Sequence, residues 1–279
     1  SAVDAGANVR PRGEDMREGE IVVGRGTVLH AGEIAVIAAC QKSEVSVSRR
    51  PRVAILATGD EVIGIDDHFE PGKVIDSNAW GLAALVQECG GEPRVMPVVP
   101  DRKDATVAAF ENARECDVIL STGGVSAGAY DLVEDALEEL GAEIVFRGVA
   151  MKPGKPIVFA RLGGHAFFGL PGNPVSCMTG FVLFVAPLLR KALGIAGDPR
   201  PPAMRARLEG ELRSKGDRTT FFRVRVESRD GELVATPMKA QGSGVSTSMV
   251  GANGFAVLGI GEESRRRGDD VSVLLLRVL

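Results

Sequence analysis

Residues 117–131 read DVILSTGGVSAGAYD. The segment 118–120 is a continuous apolar run, which is typical of a strand buried on both faces. It ends at 121–124, Ser-Thr-Gly-Gly, where glycine permits a tight backbone turn. In 132–140, apolar residues then recur at helical spacing. A buried strand, a glycine turn and a helix in this order predict one repeat of a parallel α/β sheet.

The same alternation continues on both sides of this stretch. Toward the N-terminus, 53–58 (VAILAT) and 94–99 (RVMPVV) are predicted strands, and 78–89 and 103–115 are predicted helices. Toward the C-terminus, three apolar runs (IVFRGVAM, PIVFARL and HAFFGL) precede a long buried helix in NPVSCMTGFVLFVAPLLRKALG. We therefore predict the α/β class, with a mainly parallel, three-layer sheet domain over residues 49–198.

Two smaller modules flank this predicted domain. Residues 17–48 alternate short apolar runs with glycine turns and predict strand, turn, short helix and strand, so residues 1–48 are assigned to a separate module. After 197–202 the helix signals vanish, and two alternating runs flank Arg229-Asp230-Gly231, a hairpin signal. Residues 199–279 are therefore predicted to form a small C-terminal β domain.

Composition excludes several classes of function. The net charge of −4 and the lack of a basic face argue against nucleic-acid binding. The four cysteines and three histidines are not spaced as metal ligands, and the apolar neighbours of the cysteines suggest buried, reduced thiols in a cytoplasmic protein. The longest apolar stretch, 177–189, is too short to predict a membrane span. The opening residues, SAVDAGANVRPRGED, read like the interior of a longer chain.

Glycine, small hydroxyls or carboxylates follow each predicted strand. Thr58, Gly59, Asp60 and Glu61 follow the first strand, and 122–126 follows DVILS. Ligands of open parallel sheets bind beyond these carboxyl ends, where bare backbone N–H groups can approach an oxyanion. The segment STGGVSAG therefore reads as a phosphate-binding turn. The alternative is a tight turn without a ligand, in which the following acid only caps a helix. The segment STGGVSAG matches neither the dinucleotide fingerprint nor a Walker A loop.

The acidic side chains at these strand ends predict a cation site. Asp60, Glu61, Asp101 and Asp131 each lie at or near a predicted strand exit and would converge on one cleft. Mg²⁺ takes oxygen ligands from carboxylates and substrate phosphates. The alternative is that these are acids of ordinary surface loops.

A proline-rich turn predicts a second, cationic part of the site. In MKPGKP, 151–156, two prolines and a glycine stiffen the chain and restrict Lys152 and Lys155. Two ammonium groups so held would suit a tetrahedral oxyanion. Ser176, in the first turn of the helix after LPGNP, could donate to the same anion. The alternative is a basic surface turn.

Taken together, eight stretches resemble the molybdopterin molybdenumtransferase family, known as MoeA in bacteria and as the gephyrin E domain in animals. They are VRPRGED (9–15), ATGDE (57–61), IDSN (75–78), STGGVSAGAYD (121–131), MKPGKP (151–156), LPGNPVS (170–176), TTFFRV (219–224) and AQGSG (240–244). The resemblance implies an enzyme that takes molybdate and adenylylated molybdopterin, uses a divalent cation, usually Mg²⁺, and releases AMP. It also implies a cytoplasmic homodimer, with other molybdenum cofactor biosynthesis proteins as possible partners.

The resemblance implies roles for particular residues. The acids expected to serve Mg²⁺ and catalysis are Glu61, Asp101 and Asp131. The catalytic lysines expected at the oxyanion are Lys152 and Lys155. The residues expected to bind substrate are Thr58, Gly59, Asp60, Asp76, Asn78, Gly123, Gly124, Ser126, Pro171, Gly172, Asn173, Pro174, Ser176, Arg223 and Ser243.

Two departures from the family pattern affect these expectations. A residue that is often basic in the family is Gly148 here, so either Arg147 substitutes for it or one anion contact is lost. The family also has a long further stretch before VRPRGED, of which residues 1–48 are read as a remnant. The alternative functions are a molybdopterin adenylyltransferase and a non-catalytic scaffold. The retained acids and lysines favour the enzyme.

Overall fold

The computed structural model describes residues 4–124 and 132–276. Its helices are α1 (Ala31–Ala39), α2 (Ser77–Glu88), α3 (Lys103–Ala113), α4 (Leu132–Glu139), α5 (Pro174–Gly180) and α6 (Ala186–Ala192), with a π-helical turn over Phe181–Val185 and a 3-10 turn over Ser246–Met249. The strands before the linker at 193–202 are β1 (Arg52–Ala57), β2 (Val62–Ile63), β3 (Val74–Ile75), β4 (Glu92–Val95), β5 (Val118–Thr122), β6 (Glu143–Arg147), β7 (Met151–Lys152), β8 (Val158–Leu162) and β9 (His165–Leu170). The later strands are β10 (Ala203–Leu208), β11 (Leu212–Arg213), β12 (Thr219–Arg229), β13 (Glu232–Pro237), β14 (Gly254–Leu258), β15 (Ser264–Arg265) and β16 (Asp270–Leu275).

The main sheet has the order β4-β1-β5-β9-β8-β6. Its first four strands are parallel, and β8 and β6 add an antiparallel edge. Strand β5 lies between β1 and β9 and is buried along its whole length. This is why 118–122 is apolar without alternation: both faces of the strand are covered.

Helices cover both faces of this sheet. On one face Phe110 of α3 and Leu137 of α4 pack against Ile119 of β5. On the other face Leu82 of α2 and Phe181 pack against Leu120. The prediction of an α/β, mainly parallel, three-layer sheet is therefore confirmed.

The long buried helix predicted in 173–194 is confirmed as the helical segment Pro174–Ala192. It runs for 19 residues with a mean hydropathy of 1.4, which by length and composition alone would be enough to cross a membrane, although the apolar stretch 177–189 was predicted to be too short. However, 56% of its apolar window is buried inside the protein, and Cys177 and Leu189 belong to the core on one face of the sheet. Its burial identifies it as a core helix.

The C-terminal strands form a closed barrel, which confirms the predicted β domain. The order β13-β10-β16-β14-β12 closes through a β12–β13 pairing, and Val224, Ala256 and Val273 fill its interior. The predicted hairpin forms: Arg229 pairs with Glu232 across a two-residue turn in which both residues have positive φ. Strand β7 leaves the α/β domain and pairs in parallel with the start of β12. The proline-rich turn is thus hydrogen-bonded to the barrel.

The N-terminal segment differs from the prediction. Of the strand, turn, short helix and strand expected over 17–48, the turn at 24–27 and the helix, α1, are present, whereas neither strand forms among the described residues 4–51. Ile21 and Val47 lie in the expected strands and are 83% and 69% exposed. Alternating apolar residues need a pairing strand and a covering layer to form sheet, and these two side chains have no such cover. Cys40, predicted to be buried, is exposed, whereas Cys116 and Cys177 are buried and all four thiols are free.

Candidate active site at the sheet edge and the domain interface

The glycine turn after β5 lies directly against the end of β1. The amide of Thr58 donates to the carbonyl of Thr122, at 3.0 Å, and Gly123 N–H donates to Leu170 O, at 3.1 Å. Gly123 and Gly124 both have positive φ, 86° and 65°. A Cβ on Gly123 would lie 2.7 Å from Thr58 O. Glycine is required here both for the backbone conformation and for the close approach of two strand ends.

This packing predicts a large effect of a single methyl group. We expect Gly123→Ala to lower the free energy of unfolding by about 2–4 kcal/mol, the sum of left-handed strain and a backbone clash. Gly141→Ala is the matched control, because Gly141 also has positive φ, 67°, but open space at its Cβ position. The control should lose only about 1 kcal/mol. Equal losses in urea-induced unfolding of the two variants would show that the contact with Thr58 does not matter.

Asp60 and Asp101, at the next strand ends, are joined by two reciprocal hydrogen bonds. Asp101 N–H donates to Asp60 Oδ1 at 3.0 Å, and Asp60 N–H donates to Asp101 Oδ2 at 3.3 Å. Both side chains are exposed, as is Glu61. The structure thus brings the predicted Asp60 and Asp101 together. Ser126 and Asp131, also predicted for this site, lie outside the described residues. Within the described part of the chain, no three acidic, histidine or cysteine side chains cluster as metal ligands would.

The loop after β9 joins this edge to α2. Asn78 Nδ2 donates to Gly172 O at 2.7 Å, while Asn78 Oδ1 is shielded from solvent without a hydrogen-bond partner. Asp76 begins α2 and accepts from Ala79 N–H at 3.0 Å. Its burial raises the pKa of the carboxyl above the ordinary range. Asp76 therefore serves first as a helix cap, a role the substrate-binding prediction did not include.

The raised pKa of Asp76 predicts the direction in which stability changes with pH. The folded protein holds the proton of this buried carboxyl more tightly than the unfolded chain does. Its contribution to stability is therefore greatest at low pH and declines as the pH rises from the ordinary aspartate pKa, about 3.9, through the raised one. Asp76→Asn keeps a capping oxygen without the charge and should be more stable than wild type at pH 7, with the difference vanishing below about pH 4. Asp76→Ala also removes the charge but loses the cap, so it should lose about 1 kcal/mol below about pH 4 and less than that at pH 7. Thermal unfolding of the three proteins at the two pH values tests the pattern, which fails if Asp76→Asn is less stable at pH 7.

A cavity of about 610 Å³ lies between the α/β domain and the barrel. The α/β domain supplies the rigid 151–156 turn, with Asn173 and Ser176 at the start of α5. The barrel supplies the start of β12 and the 241–243 loop. Val175 N–H, in the first turn of α5, donates to Ser243 O at 3.1 Å and so links the two walls. The structure brings six predicted residues to this one cavity: Lys152, Lys155, Asn173, Ser176, Arg223 and Ser243.

The charged side chains among the described residues that line the cavity are all positive. Lys152 and Lys155 are exposed and have no ion-pair partner among the described residues. No carboxylate is among the described residues that line the cavity. Arg147, considered as a substitute for the glycine at 148, instead contacts Glu134 at 2.7 Å and Glu138 at 3.5 Å, and it does not line the cavity. The two lysines are therefore left available to an anionic ligand.

Arg223 forms part of the cavity wall and is 1% exposed. Its guanidinium donates to Ser248 Oγ at 3.1 Å and to the carbonyls of Ala240 and Gly242 at 3.2 and 3.1 Å. Gln241 completes the contact, since its side chain accepts from Arg223 N–H and donates to Arg223 O. Burial lowers the pKa of the guanidinium. The arrangement fixes the loop that presents Ser243.

Further lining residues were not singled out from the sequence. Arg213, Arg218, Thr220, Phe222 and Gln241 all border the cavity. Thr220 and Phe222 lie in the TTFFRV stretch and Gln241 in AQGSG, so the sequence patterns included their location but not their role. Arg213 and Arg218 lie outside every quoted motif. Their position depends on the pairing of β7 with β12, which no local pattern indicates.

Three family models match this chain. Residues 54–191 match the model of a probable molybdopterin binding domain, residues 205–276 that of the MoeA C-terminal region, and residues 1–40 that of the MoeA N-terminal region. The chain belongs to the MoeA family. Within this family, the molybdopterin molybdenumtransferases of Nostoc sp. and Bacillus subtilis are 39% and 36% identical over 98% of the chain. The chain spans 64% and 63% of the length of these two relatives.

Solved structures of MoeA-type proteins share the same fold. A molybdopterin biosynthesis MoeA protein of Pyrococcus horikoshii superposes with a TM-score of 0.84 and 35% identity, covering 96% of this chain and 65% of that one. A molybdenum cofactor biosynthesis protein of Pyrococcus furiosus superposes with a TM-score of 0.71 and 32% identity, covering 94% of this chain and 82% of that one. The similarity thus extends over both the sheet domain and the barrel.

Proposed function

We propose that this chain carries the reaction site of a molybdopterin molybdenumtransferase, which inserts molybdenum from molybdate into adenylylated molybdopterin and releases AMP. The proposal rests on one observation, namely that two neighbouring regions of different charge form one continuous site. The glycine turn and the acids lie at the sheet edge, the unpaired lysines lie in the cavity, and the 170–176 loop contacts both. The curated relatives bear this enzyme name.

The cavity supplies the binding of the inorganic oxyanion. Lys152 and Lys155 donate to molybdate oxygens from a turn that two prolines hold, so that little side-chain and backbone freedom is lost on binding. Ser176 and Ser243 add hydroxyl donors at the same wall. Pro171 and Pro174 stiffen the loop that carries Asn173. When the dithiolene thiols replace molybdate oxygen, the displaced oxygen leaves as water with the thiol protons, and the ammonium groups offset the charge on the departing oxygen.

The sheet edge supplies the binding of the phosphates. We place the phosphates at the turn of Gly123 and Gly124, which carries no side chains and packs closely against Thr58 at the strand end. This bare backbone fits a phosphoanhydride whose adenylate is to be released as AMP. Gly172 approaches Gly123 closely, since a Cβ on Gly172 would lie 3.7 Å from Gly123 Cα. The phosphate turn and the molybdate cavity are thus neighbours.

Glu61 and Asp101 are exposed, and carboxylate oxygens suit Mg²⁺. We propose Glu61, Asp101 and Asp131 as its ligands; Mg²⁺ commonly uses one or two carboxylates together with substrate phosphates and water. Asp101 has one carboxylate oxygen engaged by Asp60 N–H, and the other is without a hydrogen bond among the described residues. When bound, Mg²⁺ offsets negative charge on the phosphoanhydride. Asp60 orients Asp101 through the reciprocal hydrogen bonds.

The two alternatives account for less of the structure. An adenylyltransferase needs the phosphate turn but gives no reason for a cationic cavity that β12 and the 241–243 loop complete. A scaffold gives no reason for two lysines beside that cavity that lack an acidic partner among residues 4–124 and 132–276. We further propose a cytoplasmic location, a homodimer, and contact with other enzymes of molybdenum cofactor biosynthesis. The exposed Ile21 and Val47 provide apolar surface for such an assembly.

The test is AMP release from adenylylated molybdopterin with Mg²⁺ and molybdate. We expect molybdate-dependent release by the wild-type chain and a loss of about 100-fold or more in Asp101→Asn, which loses charge at the phosphates. Asp104→Asn is the matched control, because Asp104 lies three residues further on, exposed and paired with Arg102. It should retain nearly full activity. Release that does not depend on molybdate, or equal rates in the two variants, would contradict the proposal.

A further inference from the structure

Two arginines of the C-terminal β domain border the cavity together with the two lysines. Arg213 lies on β11, which pairs with β15 beside the barrel, and Arg218 directly precedes β12, whereas Lys152 and Lys155 come from the turn at β7. The cavity therefore has cationic groups on two separate pieces of chain. They differ chemically as well, since lysine is a point charge and arginine a planar donor that binds phosphate in a bidentate manner.

The segment that carries Arg218 is held in place before any ligand binds. Ser214 N–H donates to Glu263 O at 2.7 Å, and Gly261 N–H donates to Gly216 O at 2.9 Å. Ser214 Oγ lies 2.8 Å from Thr220 Oγ1, in a hydrogen bond across the loop. Thr220 pairs in register with Lys152, so the start of β12, directly after Arg218, lies beside the strand that carries Lys152.

The cavity is too large for a single inorganic oxyanion. Its volume is about 610 Å³, in the range of pockets that enclose an organic ligand. A tetrahedral oxyanion has only five heavy atoms. One such anion at the lysines leaves most of the space, and the wall with Arg213 and Arg218, to another part of the substrate.

A ligand anion can displace the acidic side chains that pair with the two arginines. Asp217 is the neighbour of Arg218 along the chain and pairs with it, and Glu211 pairs with Arg213 at 2.8 Å. Neither acid lines the cavity, whereas both arginines do. The Asp217 carboxylate is 45% exposed, so it can return to water when a ligand takes its place.

We propose that Arg213 and Arg218 form a second anion subsite, which binds a phosphoryl group of the organic substrate while the lysines hold the inorganic oxyanion. Arg218 is the principal donor, because it is the less exposed of the two and its loop is the more constrained. This inference rests on the proposed function. The subsite determines which organic phosphate enters the cavity and how it is oriented.

Calorimetric titration of the chain with inorganic pyrophosphate and, separately, with inorganic molybdate tests the subsite. Arg218→Gln should weaken pyrophosphate about tenfold, the loss of a charged hydrogen-bond donor, and change molybdate affinity less than about twofold. Asp217→Asn should strengthen pyrophosphate binding, since it removes the competing carboxylate. Arg207→Gln is the control: Arg207 lies elsewhere on the barrel, paired with Glu232 at 2.9 Å. It should alter neither affinity.

Three outcomes would overturn the subsite. Equal losses in Arg218→Gln and Arg207→Gln would mean that only the overall charge of the barrel matters. A parallel loss of molybdate and pyrophosphate in Arg218→Gln would mean one shared anion site. Weaker pyrophosphate binding in Asp217→Asn would mean that the ion pair serves only to hold the loop. A wild-type chain that binds neither anion would overturn both the subsite and the proposed function. If the wild-type chain binds molybdate, the proposed function stands even when the subsite is rejected.

Discussion

Arg223→Ala is expected to lower the free energy of unfolding by about 2–4 kcal/mol, among the largest effects of any substitution in the barrel. The side chain is 1% exposed and is the largest of the fully buried ones. Its removal leaves a void, takes away the guanidinium donor of the Ala240 carbonyl, and leaves the Gly242 carbonyl with only the longer hydrogen bond from Val245 N–H. The cost of burying the charge, which lowers the pKa of the guanidinium, works in the opposite direction and keeps the estimate below that of a broken buried ion pair.

Urea-induced unfolding with two companion variants separates the causes. Arg225→Ala is the matched control, since Arg225 lies two residues along the same strand with a 61% exposed side chain and pairs with Glu227. It should cost less than about 1 kcal/mol. Arg223→Met retains most of the volume without the donors, so its loss measures the hydrogen bonds alone. If Arg223→Ala were no more damaging than the control, the loop at 240–242 would have to be held by other contacts.

The α/β core could be predicted because its local signals agree with its tertiary environment. The run 118–120 is apolar throughout, and β5 is indeed covered on both faces. The Arg229-Asp230-Gly231 signal succeeded for a similar reason, because positive φ at two adjacent positions restricts the chain to one kind of turn. In both cases the residues that set the structure are neighbours in the chain.

The predictions failed where the outcome depends on distant residues. The strand expected at 43–47 has suitable alternation, but no strand pairs with it in the described part of the chain, and Val47 stays exposed. Arg218 could not be placed in the cavity from the sequence, because this requires the pairing of Thr220 with Lys152 across two domains. The sequence located Arg223 correctly but not its hydrogen bonds to a loop 17–19 residues away. Pairing across domains has no signature in local composition.

Lys152→Gln is expected to weaken molybdate binding by about 30-fold or more. Lys152 has no acidic partner in the described structure, so its whole charge is available to an anion. A hydrogen bond from a charged donor to an anion contributes about 1.5–3 kcal/mol, or about 10- to 150-fold in affinity. The upper part of this range applies because the backbone of Lys152 is fixed by its pairing with Thr220, so little entropy is lost on binding.

Calorimetric titration with molybdate, compared with Arg147→Gln, tests this expectation. Arg147 ends the preceding strand, but Glu134 and Glu138 already neutralise it, and it does not line the cavity. Both substitutions remove one positive charge, so a long-range effect would weaken binding equally in the two variants. A specific contact would affect Lys152→Gln alone and would reduce the dependence of affinity on salt concentration. Equal, small losses would instead mean that MKPGKP is a basic surface turn and that molybdate binds elsewhere.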